Sequence, residues 1–217
     1  MKFLINPVTQ FEQNCSLVIC EQTNQSAFID PGGDIDKLME VLETSNSNLS
    51  KILITHGHID HCGIACELHQ KLSVPIIGPH QDDEFWISQI PEQAKVFGFD
   101  ELNSFVPDIW LNDNDTVKVG NIEFNVIHCP GHTPGHVVFY ENLSKTAFVG
   151  DVIFAGSIGR TDFPRGNHQD LIYSITKKLW PLGNEVKFVP GHGSMSTFGE
   201  ERKSNPFVAD HLFLNLS

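Results

Sequence analysis

Positive charge is in short supply in this chain. Its 217 residues carry 14 Lys and Arg against 27 Asp and Glu, a formal net charge of -13. A nucleic-acid binder needs a clustered basic footprint, so no nucleic-acid partner is expected, and a small anionic substrate remains open. Long apolar runs are missing too. None approaches bilayer-spanning length, and the stretch before Asn6-Pro7 lacks the extended apolar region and small-residue cleavage site of a secretory leader. The chain therefore reads as cytoplasmic, with no membrane partner. Cysteines are few. Cys15, Cys20, Cys62, Cys66 and Cys129 are odd in number and scattered, which suits reduced, packed thiols and not a disulfide framework. With 40% hydrophobic residues, a chain of this length can bury one large core, and residues 1–217 read as a single domain.

What the chain does have is concentrated metal-ligand chemistry. Thr55-His56-Gly57-His58-Ile59-Asp60-His61 follows the apolar run Ile52-Leu53-Ile54. On a helix, His56 and His58 would point about 200° apart, so a strand end opening into a loop fits better. Neutral imidazoles and a carboxylate suit a borderline divalent ion, zinc first, with iron and manganese also accepted. Four such groups this close exceed what one tetrahedral ion takes, so two ions are the natural reading. Three further strand ends deliver similar groups: His132 in a Pro- and Gly-flanked turn, Asp151 after Ala147-Phe148-Val149-Gly150, and His192 in Val189-Pro190-Gly191-His192-Gly193. A lone His or Asp at a strand end is ordinarily a cap or a solvated residue, but no packing need explains five His at such turns. The remaining histidines keep the ordinary role. His69 falls within a helix, His80 and His168 near helix starts and His211 in the tail, while His128 and His136 flank the site and read equally as supporting or structural.

These four motifs, in order, resemble the metallo-β-lactamase fold, and within it the hydroxyacylglutathione hydrolases (glyoxalase II), from about Asn14 to Phe207. The resemblance implies that His56, His58 and His132 hold one metal ion and Asp60, His61 and His192 the other. Asp151 would bridge them, and Asp60 and Asp151 would position the attacking hydroxide that paired cations make available at neutral pH. Asp30 in Asp30-Pro31-Gly32 would orient the site from behind the ligands. A thiolate can leave without a general acid because a thiol has a pKa of about 8.5, so hydrolysis of a small thioester, S-lactoylglutathione first, is the activity implied. The runs Gly156 to Gly166 and Gly191 to Glu200 look like the short bacterial branch of the family. Full-length members carry a C-terminal helical domain that holds glutathione, and its residues cannot be carried over here. Arg160, near a family Lys that contacts substrate, is then the substrate-binding candidate, although pairing with Asp162 accounts for it equally. The rival within the fold is the mononuclear iron persulfide dioxygenase, which shares a segment like Gly159 to Phe163 but departs from Pro190-Gly191-His192-Gly193.

Periodicity predicts strands at Lys2–Ile5, Leu17–Cys20, Ala27–Asp30, Lys51–Ile54, Pro75–Gly78, Thr116–Val119, Ile122–Ile127, Val137–Tyr140, Thr146–Val149 and Val186–Val189. Helices are expected at Ile35–Glu43, Gly63–Leu72, Asp82–Ile90, Asp170–Trp180 and Glu200–Lys203, with Asp34 and Asn167 as N-caps. This order fits an α+β chain: an αββα sandwich of two mixed sheets packed face to face, helices outside. Pro91–Asp113 reads as a surface loop in preference to a flap over the site. Cys62 and Cys66 share a helix face and read as packing residues, while Cys129 lies nearer the chemistry and is explained equally well by the adjacent Pro turn.

Overall fold

Strand side chains alternate between two faces, and here both faces of each sheet are apolar. In the computed structural model, which describes residues 1–213, the first sheet runs β1 (Lys2–Val8), β2 (Gln13–Ile19), β3 (Gln25–Ile29), β4 (Asn48–Leu53), β5 (Ile76–Ile77). The first three pair antiparallel, and β3, β4 and β5 pair parallel. Parallel neighbours need crossovers, which α1 (Ile35–Ser45), the single turn α2 (Ile59–Cys62) and α3 (Ala65–Leu72) provide. Next come α4 (Glu84–Ile87) and α5 (Ile90–Phe97). β6 (Thr116–Val119), β7 (Ile122–His128), β8 (Val137–Glu141) and β9 (Thr146–Gly150) then form an antiparallel meander. After the small hairpin β10 (Ile153–Phe154) and β11 (Ser157–Ile158) comes α6 (His168–Tyr173). β12 (Lys187–Pro190) adds parallel to β9, β13 (Ser196–Thr197) pairs antiparallel beside it, and α7 (Phe198–Ser204) follows, with a 3-10 turn at Asp210–Leu212 after it.

The alternation sorts side chains into three layers of core. Leu17, Ile19, Phe28 and Ile52 face outward from the first sheet onto Leu38 of α1 and Leu68 of α3. Val18, Ala27, Ile29 and Leu53, from the opposite face, meet Phe124, Phe139, Phe148 and Val189 between the sheets. Val138, Ala147, Val149 and Phe188 point out of the second sheet onto Leu171, Ile175 and Phe198. The result is two mixed sheets face to face with helices on both outer surfaces, the expected αββα arrangement. No helix among the described residues is long and apolar enough to cross a membrane.

Several local expectations are corrected. Asp34 does not cap α1: it sits at φ 55°, and its carboxylate accepts from the Thr9 amide at 2.9 Å. Asn167 does cap α6, its Oδ1 accepting from the Gln169 and Asp170 amides. The expected helix Asp82–Ile90 is only the turn Gln81–Asp83 followed by α4, and the adjoining stretch read as a surface loop contains α5. Pro91 is tolerated there because the first helical turn has no internal partner for its missing N–H. The helix expected over Asp170–Trp180 starts as α6 and widens into a π-helix at Ser174–Leu179.

Candidate metal centre

Seven side chains singled out from the sequence meet at one edge of the sandwich, where strands from both sheets end. The loop leaving β4 carries His56 and His58, and α2 carries Asp60 and His61. The turn between β7 and β8 brings His132, the end of β9 brings Asp151, and the loop after β12 brings His192. They form two groups of three. In the first, His56 Nε2 lies 3.1 Å and His132 Nε2 3.0 Å from His58 Nδ1. In the second, His192 Nε2 lies 3.2 Å and His61 Nε2 3.8 Å from Asp60 Oδ2. Asp151 stands between them: its Oδ2 is 3.6 Å from His132 Nε2 and 3.7 Å from His192 Nε2, and its Oδ1 is 3.3 Å from His61 Nε2.

The far side of each ring explains why these nitrogens face inward. A neutral imidazole that donates one N–H presents the other nitrogen as a lone pair. His132 Nδ1 donates to the Arg160 carbonyl at 2.7 Å, His192 Nδ1 to the Phe11 carbonyl at 3.0 Å and His61 Nδ1 to Asp30 Oδ2 at 2.9 Å. His56 Nδ1 lies 3.0 Å from Thr55 Oγ1, whose own hydroxyl donates to Asp30 at 2.6 Å. Asp30 thus orients one ring of each group, directly or through Thr55.

A divalent ion fits these donors. His61 Nε2 and Asp151 Oδ1 are buried without a hydrogen-bond partner, a costly state for polar atoms that coordination would relieve. Burial, reinforced by neighbouring imidazoles, lowers the His56 and His58 pKa values and keeps those rings neutral, as ligands must be. Burial alone would raise Asp151 and lower His61. Their mutual attraction overrides it, holding the Asp151 carboxyl well below its usual range and pushing His61 up. Backbone space is equally constrained: a Cβ on Gly191 would lie 2.1 Å from Asp151 Oδ1 and 2.5 Å from the His61 ring. Another grouping, His80, Asp82 and His128, suits an ion less. Its two rings are stacked 4.4 Å apart, so their lone pairs lie in near-parallel planes, and His128 Nε2 bonds the Pro134 carbonyl.

Three supporting residues were not assigned from the sequence. Asp83 is fully buried. It accepts from the Gly57 amide at 2.8 Å, the Thr133 hydroxyl at 2.8 Å and the Gly135 amide at 2.5 Å, tying together the two loops that carry His56, His58 and His132. Burial pushes its carboxyl up to about 6, against the pull of those donors. Asn14 donates to the Pro190 and Gly193 carbonyls and so holds the His192 loop. His136, of open role in the sequence, stacks on His56 with ring centroids 4.6 Å apart, and its Nε2 accepts from the Asp151 amide. Cys62 and Cys129 are buried, and burial raises both thiols.

A cavity of about 430 Å³ opens over the two groups. Phe11, Trp86, Phe97, Phe154 and Phe163 are among the residues that line it, and Arg160 is the lining cation. The Arg160 guanidinium is held by Asp162 through Nε (2.7 Å) and Nη2 (2.6 Å) and lies over the Phe163 ring. The pairing with Asp162 expected as one reading of Arg160 is thus present, and the residue also lines the cavity.

The family model described as the metallo-beta-lactamase superfamily matches residues 8–192. The hydroxyacylglutathione hydrolase GloC of Haemophilus influenzae is 46% identical over 209 residues, covering 96% of this chain and 98% of its own. Among solved structures, the BLEG-1 B3 metallo-beta-lactamase aligns with TM-score 0.88 at 31% identity, over 95% of this chain and 99% of its own. TTHA1623, solved in a di-iron-bound form, aligns with TM-score 0.86 at 32% identity, over 94% and 100%.

Proposed function

We propose, from the premise that this chain belongs to the metallo-beta-lactamase superfamily, that it is a binuclear metal-dependent hydrolase of small thioesters, with S-lactoylglutathione as first substrate. The observation carrying this reading is the pair of donor groups sharing Asp151. His56, His58 and His132 would hold one ion, Asp60, His61 and His192 the other, with Asp151 common to both. Zinc suits these donors best, and iron and manganese are accepted by the same set; a relative 32% identical binds two irons. When bound, such ions polarise a carbonyl and make water acidic enough to react at neutral pH.

The chain's own part is positioning. Asp60 and Asp151 orient the attacking water, and Asp30, the Arg160 carbonyl and the Phe11 carbonyl fix the rings. Water oxygen bonds to the acyl carbon, the C–S bond breaks with its electron pair on sulfur, and the proton released from water ends on the thiol or in solvent. Every ionisable side chain lining the cavity, Arg160 aside, belongs to the donor groups. A spare general acid is therefore lacking among the described lining residues, which favours a leaving group needing none, a thiolate. The relative's printed activity on a hydroxyacylglutathione agrees with that choice.

Metal analysis combined with S-lactoylglutathione turnover tests the reading. Two ions per chain and metal-dependent release of thiol are expected; a single iron with oxygen consumption would move the chain to the persulfide dioxygenase class. Arg160 tests the substrate. Asp162 uses Nε and Nη2, leaving Nη1 for an anionic group of the substrate. Because its carbonyl and not its side chain holds His132, Arg160→Ala should leave metal content unchanged. KM should rise roughly tenfold with kcat nearly constant, as for loss of a charge-assisted contact remote from the reacting carbonyl. Unchanged KM would remove the guanidinium from the substrate site.

A further inference from the structure

A lactoyl thioester carries a hydroxyl on the carbon beside its carbonyl, and the cavity has few neutral groups to meet it. Outside the donor groups, the uncharged polar side chains among the described lining residues are Trp86, Gln93 and Ser157. Gln93 is used at both ends, its Oε1 accepting from the Ile59 amide and its Nε2 donating to the Trp86 carbonyl. Trp86 Nε1 is sealed from solvent. Ser157 differs: its hydroxyl lies 3.5 Å from the Ile158 carbonyl, longer than an ordinary O–H bond. Its backbone, by contrast, is fixed. The buried Asn205 amide donates to the Ser157 carbonyl at 3.0 Å, and the buried Glu201 carboxylate accepts from Asn205 and from the Gly156 amide, each at 2.8 Å. Register then sets the direction of the side chain. Ser157 faces Phe154 across the β10–β11 hairpin, which puts both side chains on one side. The Phe154 ring lies 6.3 Å from that of His192. The ladder continues one step, the Gly159 amide donating to the Val152 carbonyl, so positions 157 and 159 share a face. A Cβ at Gly159 would collide with the Asp151 carbonyl and come 3.3 Å from His132 Cβ. Ser157 therefore presents its hydroxyl on the donor side, two residues along the strand from where the backbone meets the donors.

We propose that Ser157 reads the 2-hydroxyl of the acyl group, accepting its proton in a hydrogen bond at Oγ, and so selects 2-hydroxyacyl thioesters over their deoxy counterparts. This rests on the hydrolase reading above. A hydroxyl held there fixes rotation about the bond between its carbon and the carbonyl, and with it the carbonyl face turned to the attacking water. Ser157 is thus a specificity-determining residue and moves no proton.

The test is a cycle of two substrates and two enzymes, S-lactoylglutathione and S-propionylglutathione against metal-replete wild type and Ser157→Ala. The 2-hydroxyl also activates the carbonyl inductively, so the readout is the change in the kcat/KM ratio of the two esters between enzymes, in which that intrinsic difference cancels. Loss of one hydrogen bond should lower the lactoyl-to-propionyl ratio about fivefold or more in Ser157→Ala, the lactoyl ester bearing most of the loss. Ser157→Thr, which keeps the hydroxyl, should hold the ratio nearer that of wild type. A ratio in Ser157→Ala within about twofold of wild type, whether both esters lose activity in parallel or neither does, would overturn this inference and leave thioester hydrolysis standing. Failure of wild type to cleave either ester, with two metal ions bound, would bring down the thioester reading and this inference with it.

Discussion

Asp151→Ala is expected to lower kcat/KM by roughly three orders of magnitude, several kcal/mol of transition-state stabilisation, and to lower metal content below two ions per chain. Among the described residues, Asp151 is the carboxylate with oxygens within 3.7 Å of nitrogens from both groups: His132 on one side, His61 and His192 on the other. Its removal takes a donor from each group at once and leaves their imidazoles facing one another without an intervening negative charge. Any single His removes only one donor. Near wild-type turnover with full metal content in Asp151→Ala would refute the shared role. Asp151→Glu offers a control, since it keeps the charge and shifts the carboxylate by one methylene; intermediate metal retention is expected from it.

Asp83→Asn should carry the second largest effect, although Asp83 touches none of the seven donors. Its carboxylate accepts three hydrogen bonds, two from backbone amides whose donors cannot be reversed. Asn has the same shape but turns one acceptor into a donor, so an N–H must face the Gly57 or the Gly135 amide. Each charge-assisted bond lost contributes about 1.5 to 3 kcal/mol, and a loss of about 3 kcal/mol of stability is expected by chemical denaturation. The two loops concerned carry His56, His58 and His132, so chelator competition should strip that group first while Asp60, His61 and His192 keep their ion longer. A denaturation midpoint and metal retention equal to wild type would show that the loops hold their shape without Asp83.

The contrast between Asp83 and the seven donors marks how far the sequence can be read. His56, His58, His132 and their companions are chemically conspicuous, and Pro and Gly beside them disclose the turns. Asp83 looks like any acidic residue near a helix start. Its role comes from amides belonging to residues 57 and 135, and no local pattern records which distant N–H a carboxylate will meet. The same holds for Asn14 and for His136. Secondary structure divides likewise. β2, β3, β8 and β9 alternate or run apolar and were legible. α5 was not, because Pro91 and the breakers beyond it mask a spacing of Ile90, Ala94 and Phe97 that does follow a helical face; Gln93 interrupts the stripe, and its buried amide instead bonds Trp86 and Ile59. Asp34 is the opposite case. It has the right residue type for a cap, but its carboxylate is drawn away to the Thr9 amide.

The distribution of donors along the chain bears on how such a molecule can be divided. The first sheet and the loop after it supply His56, His58, Asp60 and His61, and the second sheet supplies His132, Asp151 and His192. Each group of three draws two members from the amino-terminal half and one from the carboxy-terminal half. A cut near the middle of the chain would give two fragments, neither of which carries either group of three whole. Either group of donors is therefore complete only where both halves of the chain are present together.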